Sequence, residues 1–294
     1  MALDVWMEAV PAVAFLLGSM IIPESPRYLV FVGKHEQAAK VFTRIGGDAD
    51  RLVRQVEQSL ETERRPRLSD LIIPGTRRIA PVLWVGMGLA VFQQFVGINI
   101  IFYFGEILWK AVGATEQWAL RINLLTGLVN ILATIPAIML IDRIGRKPLL
   151  LIGSVGMTLA LGAMAAVFAT ADVGPDGKPM LSHAAAIFGL TAANLYIVAF
   201  AVSWGPVMWV LLGEMFPNEI RGAALAISGA TNWLANFTVT VTFLPLLKVI
   251  GLTGAYAFYA IAAAISLPFV WLTVGETKDK TLEQMKDTTE LEPR

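Results

Sequence analysis

The stretch VFQQFVGINIIFYF, running from Val91 to Phe104, sets three amide side chains, Gln93, Gln94 and Asn99, among apolar residues. An amide moved out of water without a partner costs roughly 2–7 kcal/mol, depending on the reference state. Three of them cannot face lipid, so they face a partner helix or a cavity. A helix turns about 100° per residue, which sets Gln93 and Asn99 about 240° apart and Gln94 and Asn99 about 140° apart. An unbroken helix therefore scatters these amides. Gly97 lies between them and permits unwinding. A helix loosened at Gly97-Ile98 lets the amides converge and turns freed backbone groups toward the same cavity. The competing reading is helix–helix hydrogen bonding, worth about 1 kcal/mol per bond. The stretch alone leaves the two readings level.

A second cluster tilts that balance. AVSWGPVMWVLLGEMFP (201–217) holds Gly205-Pro206, which must disturb its helix, and Trp209 follows one turn later. SGATNWLANF (228–237) offers Asn232 and Trp233. Amides present paired donors and acceptors to hydroxyl groups, and an indole face packs the apolar C–H side of a pyranose, which is the chemistry of a sugar site. For each Trp taken alone, interfacial anchoring or packing is the ordinary reading. The sequon Asn236-Phe237-Thr238 lies inside an apolar segment and is read as chance.

Charged residues gather at segment ends. DRIGRK (142–147) carries Arg143 and Arg146 in a tight basic turn, and EMFPNEIR (214–221) carries Glu214 and Arg221. Positive charge fixing topology is one reading. The other is a set of salt bridges that hold one conformation and break in another. Exposed pairs are worth about 0–1 kcal/mol each, which suits a gate better than an anchor. Glu106 and Glu214 lie at segment ends, and only Glu8 can sit deeper. His35 and His183 fall in connections, and there is no cysteine, so neither a metal site nor a cofactor is expected. No nucleophile stands with a base, which argues against an enzyme.

The elements that must position these residues are membrane spans. The chain of 294 residues is 56% hydrophobic and 16% charged with mean hydropathy +0.64, too apolar for a soluble domain of this size. With zero net charge, nothing points to nucleic acid. The start carries no Lys or Arg before Arg27 and so lacks a signal-peptide n-region. Seven apolar segments of about 20 residues are expected, at 5–22, 80–104, 122–141, 148–170, 184–212, 223–247 and 254–274. Alternate connections divide the Lys and Arg residues 19 to 4, placing the connection 23–79 and the tail in the cytoplasm and the N-terminus outside. Within that connection, 34–45 and 49–63 read as short amphipathic helices of a solvated basic layer, with a protein-docking site as the alternative. PESPR (23–27) and GETKD (275–279) echo each other six spans apart, as in transporters built from repeated bundles.

Together PESPRYL (23–29), FQQFVGIN (92–99), DRIGRK (142–147), GPVMWVLLGEMFPNEIRG (205–222), NWLANF (232–237) and ETKDKTLEQ (276–284) resemble the sugar porter branch of the major facilitator superfamily, above all its bacterial proton-linked pentose and hexose symporters. The resemblance implies an all-α membrane protein with seven transmembrane helices. Residues 1–22 correspond to the family's sixth helix, 23–79 to its cytoplasmic helical segment, 80–274 to the C-terminal six-helix bundle and 275–294 to the tail. It implies that Gln93, Gln94, Asn99, Trp209 and Asn232 bind a monosaccharide, with Asn130 and Trp233 as weaker carry-overs. It implies gate salt bridges through Arg143, Arg146, Glu214 and Arg221, joined by Glu24 and Arg27. Two departures stand out. Gly275 and Asp279 replace the ends of the usual Pro-Glu-Thr-Lys-Gly tail motif. The family's proton-accepting Asp on the first helix and Arg on the fourth have no counterpart, so Glu8, matching an acidic position on the sixth helix, is the coupling candidate. The expectation is the C-terminal half of a monosaccharide:proton symporter in a bacterial inner membrane, working with a separate first half or with a second copy. A sugar-binding sensor and an inactive truncated fragment are the alternatives.

Overall fold

The computed structural model describes residues 12–13, 15–45, 48–62, 71–72, 79–111, 115–173 and 179–278, and it divides into two compact units, Met1–Arg65 and Pro66–Arg294. In the first unit residues 15–21 are helical, and α1 (Pro26–Phe31), α2 (His35–Arg44) and α3 (Ala49–Thr62) follow. Pro26 opens α1, where its missing N–H costs nothing. Asp48 Oδ1 accepts from the Arg51 N–H at 3.2 Å and caps α3. The amphipathic stretches become helices because their apolar positions share one face. Ala38, Val41 and Val53 bury against Leu29 and Val30, with Phe42 and Val56 packed alongside.

The second unit holds α4 (Pro81–Phe95), α5 (Ile98–Ala111), α6 (Glu116–Ile144), α7 (Arg146–Ala169), α8 (His183–Val202), α9 (Trp204–Met215) and α10 (Asn218–Thr273). A two-residue antiparallel pair, β1 (Asp172–Val173) and β2 (Pro179–Met180), follows α7. Five helical stretches among the described residues are long and apolar enough to cross a bilayer: Pro81–Gly105, Glu116–Ile144, Arg146–Ala169, His183–Met215 and Ile220–Thr273. The last has 54 residues. At 1.5 Å per residue it is roughly 80 Å long, more than twice the ~30 Å hydrocarbon core. Gly251, at φ 68° and ψ −176°, interrupts it between the two segments expected from hydropathy. Of the expected segment 5–22, residues 5–11 and 14 lie outside the described residues. On α6 Leu124, Leu128, Ile131, Ile135 and Ile138 all point outward, as a lipid-facing surface requires.

Trp204 anchors the interior. It is fully buried, and its indole N–H donates to Ser154 Oγ at 2.9 Å and to the Leu150 carbonyl at 3.2 Å. Ser154 Oγ in turn lies 2.7 Å from Ser266 Oγ, which ties α7, α9 and α10 together. The disturbance expected from Gly205-Pro206 falls at Ser203, where α8 stops and α9 starts. Pro206 sits in the first turn of α9, where its ring would otherwise meet the carbonyl four residues back.

α4 and α5 are separated at Gly97. Its φ is 93°, and a Cβ there would stand 3.0 Å from Tyr259 Cγ and 3.1 Å from Cδ1. Both the backbone conformation and the space thus require glycine. One carbonyl at the break is satisfied locally, because the Tyr196 hydroxyl donates to Val96 O at 2.8 Å. Gly97→Ala is expected to destabilise the unit by about 1–3 kcal/mol, the cost of holding a non-glycine residue in that region. Denaturation in detergent measures this, and an unchanged midpoint would show that the break does not depend on the glycine.

Candidate functional site

The break at Gly97 redirects Asn99 toward α4. Asn99 Nδ2 donates to Gln94 Oε1 at 2.5 Å, so the 140° separation of an unbroken helix is gone. Gln93 and Gln94 are 8% and 6% exposed, and Asn232, arriving from α10, is 5% exposed. Gln94 Nε2 donates to Gln93 Oε1 at 2.7 Å and to Asn232 Oδ1 at 3.0 Å. Asn232 Nδ2 donates to Gln93 Oε1 at 2.8 Å and to the Ala90 carbonyl at 3.0 Å. A fifth amide completes the set, with Asn236 Nδ2 donating to Gln94 Oε1 at 3.1 Å. Four of the seven expected binding residues, Gln93, Gln94, Asn99 and Asn232, therefore meet in one hydrogen-bonded cluster. Asn236 is the member that the sequence reading left out. Its signal was present, since it follows Asn232 by four residues and so shares a helix face.

The other three stand apart from this cluster. Trp233 is 72% exposed, because the residue after Asn232 is rotated about 100° away from the face that Asn232 buries. Trp209 is 44% exposed on α9. Asn130 is half-buried on α6, where its carbonyl accepts from Thr134 Oγ1 at 2.8 Å. Two apolar grooves flank α8, of about 420 Å³ beside Leu125 and Val129 and about 340 Å³ beside Leu159 and Ala163, and neither is lined by an amide of the cluster.

At the α6–α7 turn the charged residues form a second constellation. Arg146 meets Glu214 in a two-pronged pair, Nε to Oε2 at 3.0 Å and Nη2 to Oε1 at 2.7 Å. Its Nη2 also lies 2.9 Å from Asp142 Oδ1, and Nη1 donates to the Ile141 carbonyl at 3.1 Å. Thr277 Oγ1 donates to Glu214 Oε2 at 2.5 Å. Glu276 crowns α7: its carboxylate accepts from the backbone N–H of Arg146 at 3.0 Å and of Lys147 at 3.1 Å. Lys278 Nζ donates to the Arg143 carbonyl at 2.8 Å, at the end of α6. An anion at a helix N-terminus and a cation at a helix C-terminus each complement the local dipole. Gly145 makes the fit possible, since its φ is 99° and a Cβ there would lie 2.7 Å from Glu276 Oε2.

Of the expected gate residues, Arg146 and Glu214 thus pair directly. Arg221 does not join them. The chain breaks between α9 and α10 at Phe216-Pro217, and Arg221 folds back so that Nε donates to the Phe216 carbonyl at 3.1 Å. The Arg143 side chain is exposed. Glu24 and Arg27 lie in the first unit, where Glu24 Oε1 accepts from Ser25 N–H at 3.3 Å. Glu8 lies outside the described residues. Asp142 and Glu276 were not singled out beforehand. Asp142 is four residues before Arg146, a spacing that favours pairing, whereas the reach of Glu276 across 130 residues has no local sign.

Burial works to raise the Glu276 pKa, but four backbone N–H donors, from Lys278, Arg146, Lys147 and Thr277, outweigh it and hold the carboxyl below its ordinary range. The unfolded chain then binds the proton more tightly than the folded one. The stabilisation is full above the ordinary carboxylate pKa and is lost as pH falls through the depressed folded value. Glu276→Ala is expected to cost about 0.5–2 kcal/mol near neutral pH, as loss of a helix cap does. That difference from wild type should shrink on acidification, and denaturation midpoints measured across pH check both parts.

Residues 1–288 match the family model described as Sugar (and other) transporter. The chain is 49% identical over 283 residues to the Glucose transport protein of Synechocystis sp., covering 95% of this chain and 60% of that protein. It is 38% identical over 287 residues to the D-xylose-proton symporter of Escherichia coli K12, covering 95% of this chain and 55% of that one. The solved structure of the proton:xylose symporter XylE bound to 6-bromo-6-deoxy-D-glucose superposes with TM-score 0.74 at 36% identity, over 97% of this chain and 58% of that chain. The chain spans less than two thirds of the length of these relatives.

Proposed function

Since the chain belongs to the sugar porter family of the major facilitator superfamily, we propose that it carries the sugar-contacting half of a monosaccharide transporter. The observation behind this reading is the cluster of five amides gathered around the Gly97 break. Its hydrogen bonds involve no charged side chain. Such a group recognises a neutral molecule rich in hydroxyls, a pentose or hexose, and offers nothing to balance an ionic substrate. Trp209 supplies an indole face that closes on the sugar ring, and Trp233 and Asn130 complete the wall when a second bundle approaches.

In this reading seven spans cross a bacterial inner membrane, with the connection 23–79 and the tail in the cytoplasm. Alternating access sets this bundle rocking against another, either a separate five-helix segment or a second copy of the chain. The Arg146–Glu214 pair is a cytoplasmic latch, with Arg143 beside it at the end of α6. The partners are the sugar, a proton and the bilayer, and Glu8 is the residue through which this chain would sense the proton.

Uptake of labelled D-xylose, D-glucose and D-galactose tests the proposal in cells lacking their own carriers. The chain is expressed alone and with a first bundle from a related porter, and flux is expected only in the second case. No flux in either, despite membrane insertion, overturns the transport reading. Gln93→Ala is expected to weaken sugar binding by roughly 1–3 kcal/mol, the cost of a lost buried hydrogen bond. Unchanged affinity in that variant removes Gln93 from the site.

A further inference from the structure

The break between α4 and α5 frees a carbonyl that a continuous helix would have used. In such a helix Val96 O accepts from the N–H four residues on, at Ile100. Here the Ile100 N–H turns to Gly97 O at 3.1 Å, and Val96 O accepts from the Tyr196 hydroxyl at 2.8 Å. Tyr196 arrives from α8 and is fully buried, and Val96 is buried with it. The phenol thus takes the place of the helix's own donor.

Loss of that hydroxyl weighs unequally on the two forms the segment can take. With the break, the buried Val96 carbonyl is left without a donor among the described residues, and an unmet buried acceptor is costly. A straight helix supplies the Ile100 N–H and loses nothing comparable. The hydroxyl therefore favours the broken form. Asn99 follows Gly97 by two residues, and straightening returns it to about 140° from Gln94. The Tyr259 ring fills the space at Gly97 from α10, so shape is set there and hydrogen bonding at Tyr196.

We infer that Tyr196 is a positioning residue, whose hydroxyl holds the α4–α5 segment in its broken form and so keeps Asn99 beside Gln94. Its consequence for binding rests on the sugar reading above. Its hold on the break stands apart from that reading.

Two measurements on the full chain in nanodiscs test this. The chain has no cysteine, so Trp84→Cys on α4 and Tyr103→Cys on α5, both at exposed positions, accept a pair of spin labels. A straight run between these positions spans roughly 28 Å, and a bent one is shorter. Binding of D-glucose is measured on the unlabelled chain. Tyr196→Phe keeps the ring and removes the donor. It is expected to add a longer distance as the major component and to weaken D-glucose about tenfold. The two changes should match, because apparent affinity scales with the fraction of chains in the competent form. Tyr196→p-aminophenylalanine returns an N–H donor and is expected to restore both. In an Asn99→Ala background Tyr196→Phe is expected to cause no further loss of affinity, since the hydroxyl acts through Asn99. Tyr196→Met repeats the measurements if the phenylalanine variant does not fold. Unchanged distances overturn the inference whatever the affinity, and a lowered denaturation midpoint with unchanged distances assigns Tyr196 to packing alone. A wild-type chain that binds no sugar overturns the sugar reading, and the distances then decide the hold on the break by themselves.

Discussion

A carboxamide inside a bilayer has no water to bond with, and the larger unit is organised by finding partners for five of them. Gln94 is the hub, because its side chain alone hydrogen-bonds to all four of the others. That arrangement needs Asn99 on the same side as Gln94, which a continuous helix forbids. The chain therefore breaks at Gly97, and the break creates backbone groups that need partners in turn. Tyr196 serves one of them, and the Tyr259 ring fills the space a side chain at Gly97 would have taken. Polar side chains, broken helix and aromatic support form one linked solution. Removing the glycine would disturb the amides without touching any of them.

The turn between α6 and α7 follows a different logic. Its groups are charged and only partly buried, and side-chain exposure is 11% for Arg146 and 32% for Glu214. Here the fit depends on direction as much as on charge. Arg146 engages a carboxylate through two nitrogens at once, which fixes the angle between α7 and α9 as well as their separation. The amide cluster is built from neutral groups alone, whereas the charged constellation ties helix ends together through ion pairs and backbone contacts.

Much of this could be read from residue order, and the parts that could not share a cause. The spans, the break near Gly97, the disturbance before Pro206 and the two short helices of the first unit all follow from hydropathy, periodicity or a single conformational rule acting locally. Gln93, Gln94, Asn99 and Asn232 were recognisable because amides are rare in apolar segments. Asn236 was missed despite a four-residue spacing from Asn232. Tyr196 and Tyr259 take their role only from their approach to Val96 and Gly97, which nothing in the residue order marks. Arg221 showed the opposite error. Its charge suggested a pair with Glu214, but the intervening chain break turned it toward a carbonyl instead. Long-range geometry decided each of these cases.

The crowning of α7 by Glu276 also has a bearing on how the chain is made. The backbone N–H groups at Arg146 and Lys147 leave the ribosome about 130 residues before the carboxylate that serves them. At translation rates of roughly 5–20 residues per second, that interval lasts on the order of ten seconds. Throughout it the start of α7 lacks the Glu276 carboxylate and Glu214 lacks the Thr277 hydroxyl. The α6–α7 turn is thus completed by residues that follow the last helix of the bundle. A nascent chain that stalls before them would keep the Arg146 pairs with Glu214 and Asp142 but lack the Glu276 and Thr277 contacts.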